Sequence, residues 1–346
     1  MPEGVVGPLD GLLGRSPAME GLRQEIRQFG PSDLRIHVHG ETGVGKEGVA
    51  RALHALSPRA RGRFVPFNAA GFTDELVEAE LFGHARGAFT GAVGAREGYV
   101  AEAERGTLFL DEVAELTPRA QAKLLRFLEE NEYHRLGETV ARRADVRLLS
   151  ATNVDLDRLV SQRRFRRDLW YRLHEHCVCV PPLRERGGDV LLLARHFLRQ
   201  EAARQSRVPP RLSRGAEAAI ARYSWPGNVR QLASEMRRVL VIAVDGVIDL
   251  EHLSDDIRPS PGGVVGGLRS KMAAVERRIV REVLDRHGGN RTAAAAELGI
   301  TRQALVAKIR RLGLVERLEE RSRAGWTGGA DAGDALARSR GRGRGA

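Results

Sequence analysis

The chain has 346 residues, 42% hydrophobic, 29% charged and 5% aromatic, with 56 Lys and Arg against 45 Asp and Glu for a formal net charge of +11. That length holds two or three domains with buried cores, and no uninterrupted apolar stretch nears the roughly 18 to 20 residues of a membrane helix. The N-terminus MPEGVVGPLDG has neither the basic nor the apolar region of an export signal, and the only cysteines, Cys177 and Cys179, are too close in sequence for an ordinary disulfide. A soluble protein of the reducing cytoplasm is expected, with no membrane partner and with a polyanion among its ligands.

In chain order, Leu34 to His39 reads L-R-I-H-V-H, alternating apolar and polar at period 2 as a strand does, and a helix-compatible run follows from Glu47 to Leu56. Between them lies G-E-T-G-V-G-K, formed by Gly40, Glu41, Thr42, Gly43, Val44, Gly45 and Lys46, with the phosphate-loop spacing G-x-x-x-x-G-K. Its glycines let backbone N–H groups turn toward phosphate oxygens, the following helix aims its positive end at them, and Lys46 reaches the outer phosphates. Glu47 departs from the generic motif, standing where Ser or Thr usually contacts Mg2+.

Thr107 to Leu110 is a short apolar run that ends on Asp111 and Glu112. Asp111 at a strand end can hold hydrated Mg2+, and Glu112 can polarise the water that attacks the γ-phosphate of ATP. A pair of helix N-terminal acids is the plainer reading, and beside a phosphate loop it explains less. Val146 to Ala151 is a third strand, ending on Thr152 and Asn153. Strands alternating with helices predict an α/β fold with a parallel sheet whose ligands lie beyond the carboxyl ends of the strands. The run H-E-H-C-V-C, His174 to Cys179, carries zinc-ligand residue types. In a strand, however, His174 and His176 face away from Cys177 and Cys179, so no metal is expected and the cysteines are expected to pack in the core.

The turn-rich run PSPGGVVGG at 259–267 reads as a flexible linker. Charge separates across it: residues 1–267 carry a net +2, residues 268–314 carry 11 Lys and Arg against 4 Asp and Glu for +7, and residues 315–346 carry +2. An amphipathic helix is expected around Met272 to Leu284. Thr292 then caps a short alanine-rich helix ending near Leu298, Gly299 makes a turn, and Thr301 caps a second helix running to about Leu312. This is a helix-turn-helix pattern. Arg302 and Gln303 at the start of the second helix suit base edges, and Lys308, Arg310 and Arg311 suit phosphates. A solvated basic helix on a structural bundle is the bland alternative. The closing Gly-, Ala- and Arg-rich stretch has almost nothing to bury and is expected to be disordered.

Six motifs, E-L-F-G-H, G-A-F-T-G-A, G-T-L-F-L-D-E, F-R-R-D-L-W-Y-R-L, P-P-L-R-E-R and W-P-G-N-V-R, occur in the order seen in bacterial sigma-54-dependent activators, or enhancer-binding proteins, and the chain resembles that family over about residues 11 to 245. The resemblance implies an AAA+ P-loop domain with a parallel sheet (11–180), a small helical lid (181–258), the linker (259–267), a Fis-type helix-turn-helix domain (268–314) and a tail (315–346), after a short extension (1–10). It implies ATP hydrolysis by Lys46, Asp111 and Glu112, with Asn68 restraining the glutamate and Asn153 sensing the γ-phosphate. Ala69 stands where a cysteine is usual, and Gln231 where a glutamate is common. Arg166 and Arg172 would reach a neighbouring subunit's site, which implies a homo-oligomeric, hexameric ring, and Arg230 of the lid would contact nucleotide in its own subunit.

By the same resemblance, the loop Gly87, Ala88, Phe89, Thr90, Gly91 and Ala92 grips sigma-54 and remodels the closed RNA polymerase holoenzyme complex at a promoter, with the helix-turn-helix holding enhancer DNA. Without it, those six residues read only as a turn with one packed Phe. A regulator of ordinary promoters that uses the ATPase as an oligomerisation switch is the rival reading, and an AAA+ helicase or loader is a third, given little support by the +2 charge of the ATPase segment. About a dozen residues precede L-L-G-R-S-P-A-M, against the order of 100 that an input domain needs. Control is therefore expected from a separate regulatory protein, from expression level or from promoter arrangement.

Overall fold

Helix α1 (Pro17–Phe29) begins in the computed structural model where Ser16 accepts a hydrogen bond from the Met19 N–H and Pro17 brings a helical φ to the first turn. Strand β1 (Ile36–His39), helix α2 (Lys46–Ala55), strand β2 (Phe64–Asn68) and helix α3 (Asp74–Phe82) follow. A short antiparallel pair, β3 (Gly83–His84) and β4 (Arg96–Glu97), brackets the 87–92 turn. After α4 (Tyr99–Glu102) and β5 (Thr107–Asp111), helix α5 (Pro118–Glu130) is capped by Thr117 and stopped by Asn131 at φ 55°. The pair β6 (Glu132–Tyr133) and β7 (Arg142–Arg143) leads to β8 (Arg147–Thr152), α6 (Leu156–Ser161), α7 (Arg167–Leu173) and β9 (His176–Cys179). The structure describes residues 9, 11–71, 74–89, 92–243, 246–258, 268–287 and 289–311.

Five of these strands form one parallel sheet in the order β2-β5-β8-β1-β9. Helices α1 and α2 cover one face through Ile26, Val38, Leu53 and Phe109. The opposite face buries Phe67, Leu108, Leu124 and Leu169. β1 is thus an interior strand, and Ile36, His37 and Val38 are all at most 2% exposed. An alternating strand can leave one face to water. The second face is covered instead, and it accepts His37 because Nδ1 lies 2.9 Å from Ser150 Oγ and the ring meets Trp170 edge-on at 5.2 Å. Arg147, 2% exposed at the start of β8, donates to the carbonyls of Gly30 at 3.1 Å and Leu53 at 3.2 Å, with longer contacts to Leu34 and Phe29.

The cysteines do not pack in the core as expected. β9 is an edge strand whose buried side chain is Val178, leaving Cys177 half-buried and Cys179 exposed. Nor do the two histidines share a face of one strand. His174 lies beyond the end of α7 and stacks on Trp170 at 4.2 Å, whereas His176 stacks on Phe29 of α1 at 3.6 Å. Among the described residues no group of three or more His, Cys, Asp or Glu side chains is arranged to hold a metal ion.

Helices α8 (Asp189–Arg204), α9 (Arg214–Arg222) and α10 (Asn228–Ile242) form a smaller core around Leu193, Ile220, Trp225 and Met236, edged by a parallel pair, β10 (Arg211–Leu212) and β11 (Val247–Ile248). Residues 1–258 make one unit and residues 259–346 a second. In the second, α11 (Leu268–Arg286), α12 (Arg291–Glu297) and α13 (Arg302–Arg311) pack through Val283, Leu284, Ala294, Leu305 and Ile309. Asn290, not Thr292, caps α12: its Oδ1 accepts from the N–H groups of Thr292 and Ala293, so the helix begins ahead of the threonine. Gly299 makes the turn at φ 63°, and Thr301 Oγ1 accepts from the Ala304 N–H at 3.2 Å. The expected linker at 259–267 and tail at 315–346 lie outside the described residues. None of the described helices is long and apolar enough to cross a membrane.

Burial holds the His37 pKa down to about 3 from its ordinary 6.5, with the charges of His174, His39 and Lys46 adding to the effect. In the window between those values the unfolded chain takes up a proton that the folded chain refuses, so stability falls as pH falls through it. Urea midpoints measured at about pH 7 and about pH 5 should therefore drop less for His37→Gln, which can still bond Ser150 without titrating, than for the native chain.

Candidate functional site

The turn from β1 into α2 runs through Gly40 to Gly45, with Gly43 at φ 78° and Gly45 at φ 103°. A peptide that turns its N–H inward turns its carbonyl outward, and here each outward carbonyl has a donor. Lys46 Nζ donates to Gly40 O at 3.0 Å and to Glu41 O at 3.5 Å. Asn228 Nδ2 donates to Thr42 O at 3.1 Å, the Arg230 N–H to Gly43 O at 3.2 Å, and Arg186 Nη2 to Val44 O at 2.8 Å. Three of these five acceptors are served from the segment that forms the lid. The Val44 N–H makes a long bond to Glu41 O at 3.4 Å, and the other N–H groups of the loop, at the N-terminal end of α2, suit an anion.

The carboxyl ends of the other strands gather at this loop. Asn68 on β2 stands in register with Asp111 on β5, and His39 on β1 with Thr152 on β8. Lys46, 7% exposed, has its Nζ 3.9 Å from Glu112 Oε1. Burial lowers the Lys46 pKa, opposed by the carboxylates of Glu112 and Asp111 and assisted by the charge of Arg230. Burial likewise raises Asp111 above the usual carboxylate range, with the Glu112 charge second, although the Glu112 N–H donates to Asp111 Oδ1 at 3.0 Å. Glu112 adopts the left-handed region at φ 52°, a conformation costing about 1–3 kcal/mol for a residue with a Cβ. Asn153 Nδ2 donates to Thr42 Oγ1 at 2.7 Å. Asn68 accepts from the Ala70 N–H at 2.9 Å, within its own turn. Glu47 is exposed and bonds Arg51 at 2.7 and 2.9 Å, which directs it along the outer face of α2.

Arg166 and Arg172 are about half exposed. Arg166 pairs with Asp168 at 2.7 Å, and Arg172 lies 3.6 Å from Glu129. In the 87–92 turn, the Gly87 N–H donates to Ala92 O at 2.9 Å and the Ala92 N–H to Phe89 O at 3.0 Å. Phe89 packs edge-on against His84 at 5.0 Å, and Ala88 abuts Gly137 of the β6–β7 connection. Thr90 and Gly91 lie outside the described residues. On α13, Arg302 and Gln303 are exposed, while Lys308 pairs with Glu276 of α11. Arg310 and Arg311 are the last described residues of that helix, and their side chains lie outside the description.

Arg184, Arg186 and Asn228 lie inside P-P-L-R-E-R and W-P-G-N-V-R, where the sequence alone gives them no role. Arg184 grips the Glu41 carboxylate at 2.6 and 2.8 Å, and Asn228 donates to Glu41 Oε2 at 3.1 Å. These hydrogen bonds, Arg184 first, hold the Glu41 pKa down to about 2. The available signal was an asparagine directly after a glycine at a helix start, a residue that tolerates the left-handed backbone.

A Cβ at Gly43 would sit 2.5 Å from Gly227 O and 3.0 Å from Arg230 Cβ, at a φ that disfavours side chains. Gly43→Ala must therefore part the loop from the lid. It is expected to weaken binding of a fluorescent ATP analogue at least about tenfold, roughly 1.4 kcal/mol. An unchanged Kd would show that this close approach is dispensable.

Three family models match the chain in order: the Sigma-54 interaction domain over residues 12–178, the AAA+ ATPase lid domain over 184–263, and the Bacterial regulatory protein, Fis family, over 271–312. The transcriptional regulatory protein ZraR of Salmonella typhimurium (strain LT2) is 43% identical over 302 residues, covering 87% of this chain and 68% of that protein. The regulatory protein AtoC of Escherichia coli (strain K12) is 40% identical over 312 residues, covering 88% and 68%. Among solved structures, NtrX from Brucella abortus in complex with ATP is similar with a TM-score of 0.68 at 35% identity, covering 87% of this chain and 69% of that one. With likeness of this extent running through base, lid and helix-turn-helix alike, the chain belongs to the sigma-54-dependent transcriptional activators and is an AAA+ ATPase that activates transcription.

Proposed function

We propose that the chain works as a homo-oligomeric ring, hexameric on the family pattern, that is anchored on enhancer DNA and uses ATP hydrolysis to remodel the sigma-54 RNA polymerase holoenzyme from a closed to an open promoter complex. The observation that carries this reading is the phosphate loop itself: its carbonyls are tied outward, with Lys46 at its base and Glu112 3.9 Å from the lysine. Phosphates of ATP bind the loop N–H groups and Lys46, and Arg230 meets the nucleotide from the lid. The adjacent carboxylates of Asp111 and Glu112, with Asp111 raised by burial and by its neighbour's charge, fit a divalent cation. Asp111 would hold Mg2+ through water and nucleotide, and the ion would offset charge on the phosphates.

Glu112 accepts a proton from the attacking water, Asn153 reports on the γ-phosphate through its contact with the loop, and Asn68 restrains Glu112. Arg166 and Arg172 leave Asp168 and Glu129 to stabilise charge in a neighbour's site. Motion then passes to the 87–92 loop, where Phe89 and Thr90 engage sigma-54. Arg302 and Gln303 read bases beside Thr301, with Arg310 and Arg311 on phosphates and Lys308 joining them once released from Glu276.

The test is ATP-dependent open-complex formation with sigma-54 RNA polymerase. The native chain should activate, and Lys46→Ala should lose both hydrolysis and activation. Thr90→Ala should hydrolyse ATP but fail to activate. Equal activation by all three would overturn the reading, and activation at ordinary promoters alone would favour the oligomerisation-switch rival. A second measurement addresses the arginines: Arg172→Ala and Lys46→Ala, each inactive alone, should regain ATPase activity when mixed, because a Lys46→Ala subunit lends its arginine to the intact nucleotide site of an Arg172→Ala neighbour. No recovery on mixing would place Arg172 outside the neighbour's site.

A further inference from the structure

We propose that Glu41, Arg184 and Asn228 form a positioning latch through which the lid holds the phosphate loop in its anion-binding form, so that ATP affinity depends on lid position. Glu41 is the second residue of the loop, yet its carboxylate faces the lid. Arg184 Nη1 donates to Oε2 at 2.8 Å and Nη2 to Oε1 at 2.6 Å, the parallel two-bond geometry that gives guanidinium–carboxylate pairs their direction. The pair alone would mean little, since both partners are a little under half exposed and isolated surface pairs contribute little. A third, buried partner distinguishes it. Asn228 is 0% exposed, and its amide serves three groups at once: Nδ2 donates to Glu41 Oε2 and to Thr42 O, both at 3.1 Å, and Oδ1 accepts from the Leu183 N–H at 2.8 Å.

The backbone fixes that amide in place. Asn228 sits in the left-handed region at φ 49°, and its N–H donates to Trp225 O at 2.7 Å. Trp225 is in turn anchored in the lid core, 1% exposed, with its indole N–H on Ile220 O at 2.9 Å. A continuous path of bonded groups therefore runs from the lid core through Trp225 and Asn228 to the Thr42 carbonyl and the Glu41 carboxylate. If the lid shifts, Thr42 O loses its donor, and its peptide is free to turn the carbonyl toward the position of the phosphates. Linkage makes the effect reciprocal: whatever free energy the lid lends to ATP binding, bound ATP returns to the lid position. Glu41 and Arg184 are positioning residues in this scheme and do not touch the reacting atoms.

The proposal rests on the nucleotide-site reading above, so Lys46→Ala accompanies the test. If Lys46→Ala leaves ATP affinity intact, the nucleotide site itself is misassigned. If Lys46→Ala abolishes binding, the latch is judged separately by a double-mutant cycle of Glu41→Gln, Arg184→Met and the double variant. Each is assayed in the full chain for ATP KM and kcat and for the Kd of a fluorescent ATP analogue. Each single change is expected to raise KM and Kd about three- to tenfold with kcat falling no more than about twofold, and the double variant is expected to be no worse than the weaker-binding single one. Urea midpoints should stay near native, since both side chains lie at the surface of the contact. Unchanged KM in both single variants, or effects that simply add, would overturn the latch, as would a loss confined to kcat.

Discussion

A phosphate loop asks its backbone for something a peptide cannot do cheaply. Turning a run of N–H groups inward leaves an equal run of carbonyls outward, and buried carbonyls need donors. The five carbonyls from Gly40 to Val44 find them in Lys46, Asn228, the Arg230 N–H and Arg186. Most of those donors come from beyond β9, so the loop is completed by a segment more than a hundred residues away in sequence. The helical lid is for that reason a structural component of the nucleotide site, and base and lid make one unit within residues 1–258.

The sheet order supplies the rest. With β1 held between β8 and β9, its loop emerges in the middle of the carboxyl edge, where the ends of β2, β5 and β8 deliver Asn68, Asp111 and Asn153. The same closeness creates the electrostatics. Lys46 and Asp111 are each shifted toward the neutral form by burial, and they restrain each other's shift by attraction. A site in which opposite charges are partly stripped of water responds strongly to an added polyanion and its cation.

Much of this was legible in the primary structure. The glycine spacing, the strand ending on Asp111 and Glu112 and the turn glycine at 299 are local features whose physics is complete within a few residues. What could not be read was set by neighbours distant in sequence. The alternation at 34–39 gave no sign that His37 would be buried, because the covering face comes from Trp170 and Ser150. The sequence places the cysteines in the core because nothing local reveals that β9 is an edge strand. The sequence reads Thr292 as the cap, whereas Asn290, two residues earlier, holds that place; both are good capping residues, and only the path of the chain decides between them. The partners of Glu41 were invisible for the same reason: Arg184 and Asn228 reach it across 143 and 187 positions.

Arg147 has a consequence at a distance from its own position. Among the described residues it has no carboxylate in hydrogen-bond contact and is satisfied by carbonyls, among them Leu53 O in the last turn of α2 and Gly30 O just past the end of α1. Peptide dipoles give a helix a negative pole at its C-terminal end, and that pole partly cancels the field of the positive one. A buried guanidinium against the C-terminal turn of α2 offsets the negative pole at roughly 15 Å from the loop, the length of a ten-residue helix. The positive pole beneath Gly45 and Lys46 then acts on phosphate with less opposition. A residue that reads as a core oddity at the bottom of β8 thereby belongs to the electrostatic machinery of the opposite end of the domain.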